Sequence, residues 1–205
     1  EKTEEYEIKR GDDETWKQAK YLGTMLDTET DMKRRKQLAN ASLNKIKNIT
    51  KDRKIKLSLK LRAYNAYVSS VFLYNSETWT LTKTRSSEID VFHRKHLRNI
   101  LNIRWPDVIS NTNLYTKTGE KVWTDIVETR RLRFLGHILR LPTETPVRQA
   151  LSEFCKKHKN PRGAPKTTWY KTVVKNLKDR GYTFEQALSL ANERKSWRSL
   201  IVNCS

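Results

Sequence analysis

The sequence has few of the residues that cross-link or interrupt a chain. Its 205 residues include two cysteines, six glycines and five prolines. Two cysteines, Cys155 and Cys204, exclude a framework of several disulfides and favour a reducing compartment, although they leave room for one bridge. Scarce glycine and proline permit long helices and disfavour a coil-rich chain.

Long apolar runs are also missing. The longest, residues 66–74, is interrupted by Ser69 and Ser70, whereas a helix needs about 20 apolar residues to span a bilayer. No signal-peptide pattern is present, so we expect no membrane partner. Because the sequence begins with Glu1 rather than Met, we expect it to be a piece of a longer protein.

Acidic residues are scarce, and the charge is unevenly distributed. The chain has 42 Lys and Arg against 23 Asp and Glu, a net charge of +19. Residues 1–31 are acidic, whereas residues 33–62 hold twelve basic side chains and one acid, Asp52. The abundant rigid polyanions that would compensate such a surface are nucleic acids. The alternative is that these basic runs are only solvated helix faces.

Signals of catalysis are missing as well. Gly11-Asp12-Asp13 resembles the paired aspartates with which polymerases bind two metal ions. Its flanks are polar rather than apolar, which favours a solvent-exposed turn. Cys155 and His158 have a ligand-like spacing but no second pair, and the other three histidines lie on predicted amphipathic helices. We therefore expect no catalytic residue, metal or cofactor in this chain.

Apolar periodicity predicts a mainly α fold with an N-terminal β-hairpin. Strands are predicted at 5–10 and 18–26 around a turn at 11–14, and Asp31 is the expected cap of the first helix. The predicted helices span 31–49, 53–74, from Ser86 or Ser87 to about Ile100, 110–119, 122–141, about 147–156, 167–179 and, as one or two helices, 184–201.

The first two predicted helices would share a positive face that follows the phosphates of a duplex without reading its bases. The predicted nucleic-acid-binding residues there are Lys33, Arg34, Arg35, Lys36, Lys45, Lys47, Arg53, Lys54, Lys56 and Lys60. The helix at 122–141 would add four outward residues: Arg130, Arg131, Arg133 and Arg140. Arg162 and Lys166 belong to a loop, 160–166, that is either a basic linker or a minor-groove hook.

Six segments carry a family resemblance. In chain order they are Lys2-Thr3-Glu4, Tyr21-Leu22-Gly23, Glu77-Thr78-Trp79-Thr80-Leu81-Thr82, a block at 98–105 that continues through 110–119, then 131–142 and 161–169. Together they resemble the C-terminal part of non-LTR (LINE-type) retrotransposon reverse transcriptases. Two departures are Asn75-Ser76, where a Gly-Cys pair is common, and Ala164, where the hook pattern has Arg.

The resemblance implies a division into the end of the palm with the primer grip, thumb helices, a post-thumb helical region, a basic Pro/Gly linker and C-terminal helices. These parts correspond to residues 1–30, 31–82, 83–142, 143–166 and 167–205. Tyr21, Leu22 and Gly23 would form the primer grip. The polymerase aspartates and their Mg²⁺ would lie upstream, in the palm and fingers of the same polyprotein, so this chain alone would be inactive.

The implied function is to grip the RNA template–DNA primer duplex, and target DNA, during target-primed reverse transcription. The partners would be RNA, DNA and the RNA–DNA duplex, and the protein would act in the nucleus after synthesis and RNA binding in the cytoplasm. The alternative is a domesticated host module that binds nucleic acid or chromatin and has no enzymatic activity.

Overall fold

A computed structural model describes residues 19–155 and 167–202, with the side chain of Phe154 left out. The chain divides into two compact units, residues 1–75 and 76–205. The fold is mainly helical and has a short antiparallel hairpin near its N-terminus, which confirms the predicted fold class.

The hairpin of the first unit consists of β1 (Lys20–Tyr21) and β2 (Thr24–Met25), with Lys20 opposite Met25. Leu22 and Gly23 connect the strands with φ of 46° and 81°, the left-handed values that a tight two-residue hairpin turn requires. The prediction of one continuous strand over 18–26 is therefore wrong, because the chain reverses in its middle. Residues 5–14 lie outside the described residues.

The described part of the first unit, residues 19–75, also contains four α-helices: α1 (Thr28–Lys45), α2 (Lys47–Lys51), α3 (Leu57–Tyr64) and α4 (Ser70–Phe72). A π-helical turn, Asn65–Ser69, joins α3 to α4. The cap of α1 is Asp27, whose carboxylate accepts from the Thr30 backbone N–H at 2.8 Å. The predicted cap, Asp31, is instead buried inside the helix. The second basic helix starts at Leu57 rather than 53.

The core of the first unit lies where α1 packs against residues 65–72. Ala39 of α1 and Tyr64, Val68 and Phe72 from the α3–α4 segment have no exposed surface. They follow the three- and four-residue spacing that the sequence shows over this segment. Burial of these side chains supplies the apolar stabilisation that holds α1 in place.

The second unit begins with a 3₁₀ turn, Ser76–Thr78, and its described residues form seven α-helices. These are α5 (Lys83–Ile100), α6 (Asn111–Thr118), α7 (Trp123–Leu139), α8 (Pro146–Cys155), α9 (Trp169–Lys178), α10 (Phe184–Ala191) and α11 (Arg194–Val202). Ser110 caps α6 and left-handed Gly119 ends it, which matches the helix predicted over 110–119. Thr82 caps α5, one turn before the predicted serines.

Helix α7 is central to this unit and contacts α5, α8, α9, α10 and α11. Gly136 lets the Trp197 side chain of α11 pack directly on the backbone of α7, because a Cβ at this position would lie 2.1 Å from Nε1 of Trp197. The same Nε1 donates to the carbonyl of Leu132 at 3.1 Å, so the indole is both packed and hydrogen-bonded. No helix in the described ranges is long and apolar enough to cross a bilayer.

Candidate nucleic-acid interface

The turn between β1 and β2 is held by two adjacent arginines of α1. The carbonyl of Gly23 accepts from Nη1 of Arg34 at 2.9 Å and from Nη2 of Arg35 at 2.7 Å. In addition, Oδ1 of Asp31 accepts from the backbone N–H of Met25 at 3.1 Å. Charged donors and acceptors form stronger hydrogen bonds than neutral ones, so α1 fixes the position of the hairpin.

Arg35 is part of the interior of the first unit. It is 5% exposed, lies 3.5 Å from Asp31 (Nε to Oδ1) and donates to the carbonyl of Val71 at 3.3 Å. Its guanidinium carbon lies 4.7 Å from the ring centre of Tyr74. The prediction that Arg35 belongs to an outward basic face is therefore wrong, since the Asp31 carboxylate and two carbonyls already surround its charge.

The predicted primer-grip residues form the tip of the hairpin. Tyr21 and Leu22 are adjacent and are 69% and 76% exposed. The backbone beneath them is fixed, because the Tyr74 hydroxyl donates to the carbonyl of Leu22 at 3.1 Å. The tip is therefore an exposed apolar surface on a supported turn, a shape that suits contact with a partner.

The remaining cations of α1 do not lie on one line. At 100° per residue, Lys36 and Lys45 lie about 180° apart around the helix axis and about 14 Å apart along it. Lys33 is exposed and pairs with Glu29 at 2.8 Å, which offsets part of its charge. The single shared face predicted from the sequence is therefore divided on α1 into a group near the hairpin and a group at the C-terminus.

The C-terminal group continues into the next elements and forms what we call the basic turn. Its members are Lys45, Lys47, Lys51, Arg53, Lys54, Lys56 and Lys60. The turn holds one acid, Asp52, whose Oδ1 accepts from the backbone N–H of Lys54 at 2.8 Å. Lys45, Lys47, Arg53, Lys54 and Lys56 are exposed, and Lys60 is half-buried. This segment concentrates positive charge where α1, α2 and α3 meet.

Arg131 of the second unit is also internal. It is 1% exposed, and its guanidinium donates to Oδ1 of Asn176 at 2.8 Å and to the carbonyl of Trp79 at 3.0 Å. Burial lowers the pKa of Arg131 to about 10, so the group stays charged at neutral pH. The prediction that Arg131 points outward is wrong: it joins α7 to α9 and to the segment before α5.

Three of the segments that carry the family resemblance, 77–82, 131–142 and 161–169, meet in the second unit. Trp79 and Arg131 come from two of them and are joined by the bond just described. A third segment contributes Trp169, whose Nε1 donates to the carbonyl of Glu77 at 2.7 Å. These residues therefore pack against one another, which gives them a structural role whatever else they do.

The other three arginines of α7 and its cap border two neighbouring cavities. Arg133 and Arg140 line a cavity of about 620 Å³, and Arg130 and Arg133 line another of about 870 Å³. Arg133 is exposed, whereas Arg140 is half-buried and donates to the carbonyl of Ala191 at 3.1 Å. Burial, with a smaller contribution from Arg194, lowers the pKa of Arg140.

Sequence reasoning missed Arg194 and Arg198, which line the first cavity together with Arg133 and Arg140. The available signal was their i, i+4 spacing on a predicted helix, which places both on one face.

Arg162 and Lys166 lie outside the described residues. Within the described residues, no group of three His, Cys, Asp or Glu side chains is arranged to hold a metal ion.

Two buried histidines of α5 have strongly lowered pKa values. His93 stacks on Trp123, with ring centres 4.4 Å apart, and His96 lies 4.3 Å from the ring of Phe92. Burial lowers the pKa of His93 to about 3 and that of His96 to about 4, and neighbouring positive groups lower both further. Both are neutral packing residues at physiological pH, as their position on an amphipathic helix suggested.

Comparison with protein-family models, with curated proteins and with solved structures found no match.

Proposed function

We propose that this chain is a nucleic-acid-gripping segment of a reverse transcriptase of the non-LTR type, with the first unit acting as its thumb. The observation that carries the proposal is the basic turn, seven cations with one acid on a packed helical scaffold. A positive surface of this density favours binding of a polyanion. Lysine and arginine side chains on such a surface would contact backbone phosphates rather than base edges.

The exposed hairpin tip supports the same proposal. Tyr21 and Leu22 are apolar, exposed and held on a turn that α1 supports through Gly23. In a primer grip, such a tip would contact the end of the primer while the cations hold the backbone of the duplex. We expect no polymerase activity from this chain alone, and we expect the longer protein to act in the nucleus.

The test is a salt titration of binding to a fluorescein-labelled RNA–DNA duplex. Six phosphate contacts give a slope of about −5.4 in log K against log salt, which weakens binding about 400-fold between about 50 and 150 mM salt. Neutralising Lys47, Lys54 and Lys56 together to Gln removes three contacts. This change lowers the slope by about 3 and the affinity at 150 mM on the order of 100-fold.

The matched control neutralises three exposed lysines of the second unit, Lys83, Lys117 and Lys178, and changes net charge by the same amount. If the basic residues act only as solvated surface, the two triple variants will bind equally. That result, or binding by the unmodified chain that does not depend on salt, would show that the basic turn is not a duplex-binding surface.

A further inference from the structure

We propose that the arginine-lined cavity between α7 and α11 binds backbone phosphates of nucleic acid, as a second contact on the second unit. This inference rests on the proposed function, which assigned nucleic acid as the partner from the first unit alone. The four arginines involved are Arg133, Arg140, Arg194 and Arg198, and two of them were not predicted from the sequence.

The cavity is lined by both cations and apolar groups. It holds about 620 Å³, and the described residues of its lining other than arginine are Trp197, Ile201 and Val202. Arg194 and Arg198 are one helical turn apart on α11, so both point to the same side. Arg140 is held in position because its Nη1 donates a hydrogen bond to the carbonyl of Ala191. The guanidinium groups therefore converge from two packed helices.

The charge of this cavity is not balanced within the described part of the chain. Its lining includes four arginines and no carboxylate, and Arg133, Arg194 and Arg198 form no salt bridge among the described residues. By contrast, Arg35 pairs with Asp31 and Arg180 lies 3.6 Å from Glu128. Like charges repel, and the pKa of Arg140 is lowered in part by Arg194. A bound anion would relieve this repulsion.

The chemistry of the lining selects phosphate and argues against a stacked base. Guanidinium groups bind phosphate oxygens in pairs of parallel hydrogen bonds, and four of them exceed the charge of one phosphodiester. Among the described lining residues the one aromatic ring is Trp197; it is buried, and its Nε1 donates to the carbonyl of Leu132. Successive phosphates of a strand therefore fit the cavity better than a nucleobase does.

The adjoining cavity of about 870 Å³ shares Arg133, Ile201 and Val202 with the first. It also contains Asp125 and Glu120, which repel phosphate. We therefore assign the phosphate contacts to the four-arginine cavity.

The experiment compares Arg194→Gln/Arg198→Gln with the charge-matched pair Lys117→Gln/Lys178→Gln in the full chain. The probe is the same labelled RNA–DNA duplex. Losing two phosphate contacts lowers the salt slope by about 1.8 and weakens binding on the order of 30-fold at 150 mM salt. A second pair, Arg133→Gln/Arg198→Gln, should give a similar loss, and circular dichroism confirms that each variant is folded.

The outcomes separate the two proposals. One outcome rejects the cavity alone. In it the unmodified chain binds the duplex and the basic-turn variant binds more weakly, but both arginine double variants bind as well as the lysine control. If the unmodified chain does not bind duplex at any salt concentration, the proposed function fails and this inference fails with it. A loss confined to the arginine pairs supports the cavity and rejects the basic turn.

Discussion

Acid should destabilise the second unit because His93 and His96 are buried as neutral bases. Burial lowers their pKa values from 6.5 to about 3 and about 4. The unfolded chain therefore binds more protons than the folded chain between these values and 6.5. Stability is fully present above pH 6.5 and falls as the pH drops through this window.

The magnitude follows from the shifts. A pH of 5 lies 1.5 units below the unfolded pKa of each histidine, while each is still neutral in the folded chain. This difference lowers the free energy of unfolding by about 2 kcal/mol per histidine. Together they remove about 4 kcal/mol relative to pH 7.5, a large part of the 5–15 kcal/mol that typical domains possess. Asp125 acts in the opposite direction, because burial and Asp90 raise its pKa.

The assay is urea unfolding followed by tryptophan fluorescence at pH 7.5, 6 and 5. Five of the six tryptophans lie in residues 76–205, so the signal reports mainly on the second unit. His93→Phe keeps an aromatic ring beside Trp123 but cannot take up a proton. This variant should lose about 2 kcal/mol less than the unmodified chain between pH 7.5 and pH 5, and the comparison cancels the contribution of Asp125.

The control is His137→Gln, which removes an exposed histidine of α7 and should leave the pH dependence unchanged. Equal losses in the His93→Phe variant and the unmodified chain would refute the reasoning. So would a chain whose unfolding midpoint does not change between pH 7.5 and pH 5.

Two further substitutions test the packing around α7. Gly136→Ala introduces a Cβ that would overlap the Trp197 indole at 2.1 Å, and we expect a loss of about 2–3 kcal/mol in urea unfolding at pH 7.5; a loss below about 0.5 kcal/mol would contradict this packing. Arg131→Met leaves the Trp79 carbonyl and the Asn176 amide oxygen without their buried donor and should cost about 3 kcal/mol, whereas Arg130→Met, one residue away and half-buried, should cost much less.

The sequence predicted helix ends well at positions where a single capping residue determines the end. Ser110 and Gly119 are such residues, because a hydroxyl cap and a left-handed glycine act within one turn of chain. Asp31 has the same capping chemistry, yet it lies inside α1 and faces Arg35. Its role depends on a tertiary contact, which capping preference alone does not reveal.

The candidate site shows the same limit. Charge counting located the region of the basic turn, because lysine side chains are mostly exposed in folded proteins. It did not separate Arg35 and Arg131 from their neighbours, since a buried arginine and a surface arginine look alike in sequence. Arg194 and Arg198 were missed because the packing of α11 on α7, not a local motif, brings them to Arg133 and Arg140.

The hydrogen bonds from Arg34 and Arg35 to the Gly23 carbonyl link the position of the hairpin to that of α1. The same two adjacent side chains tie the hairpin to α1, and Tyr74 holds the turn from the end of the following segment. We therefore expect a rotation of α1 to move the exposed side chains of Tyr21 and Leu22 with it. A partner that contacts this tip would then sense the orientation of α1.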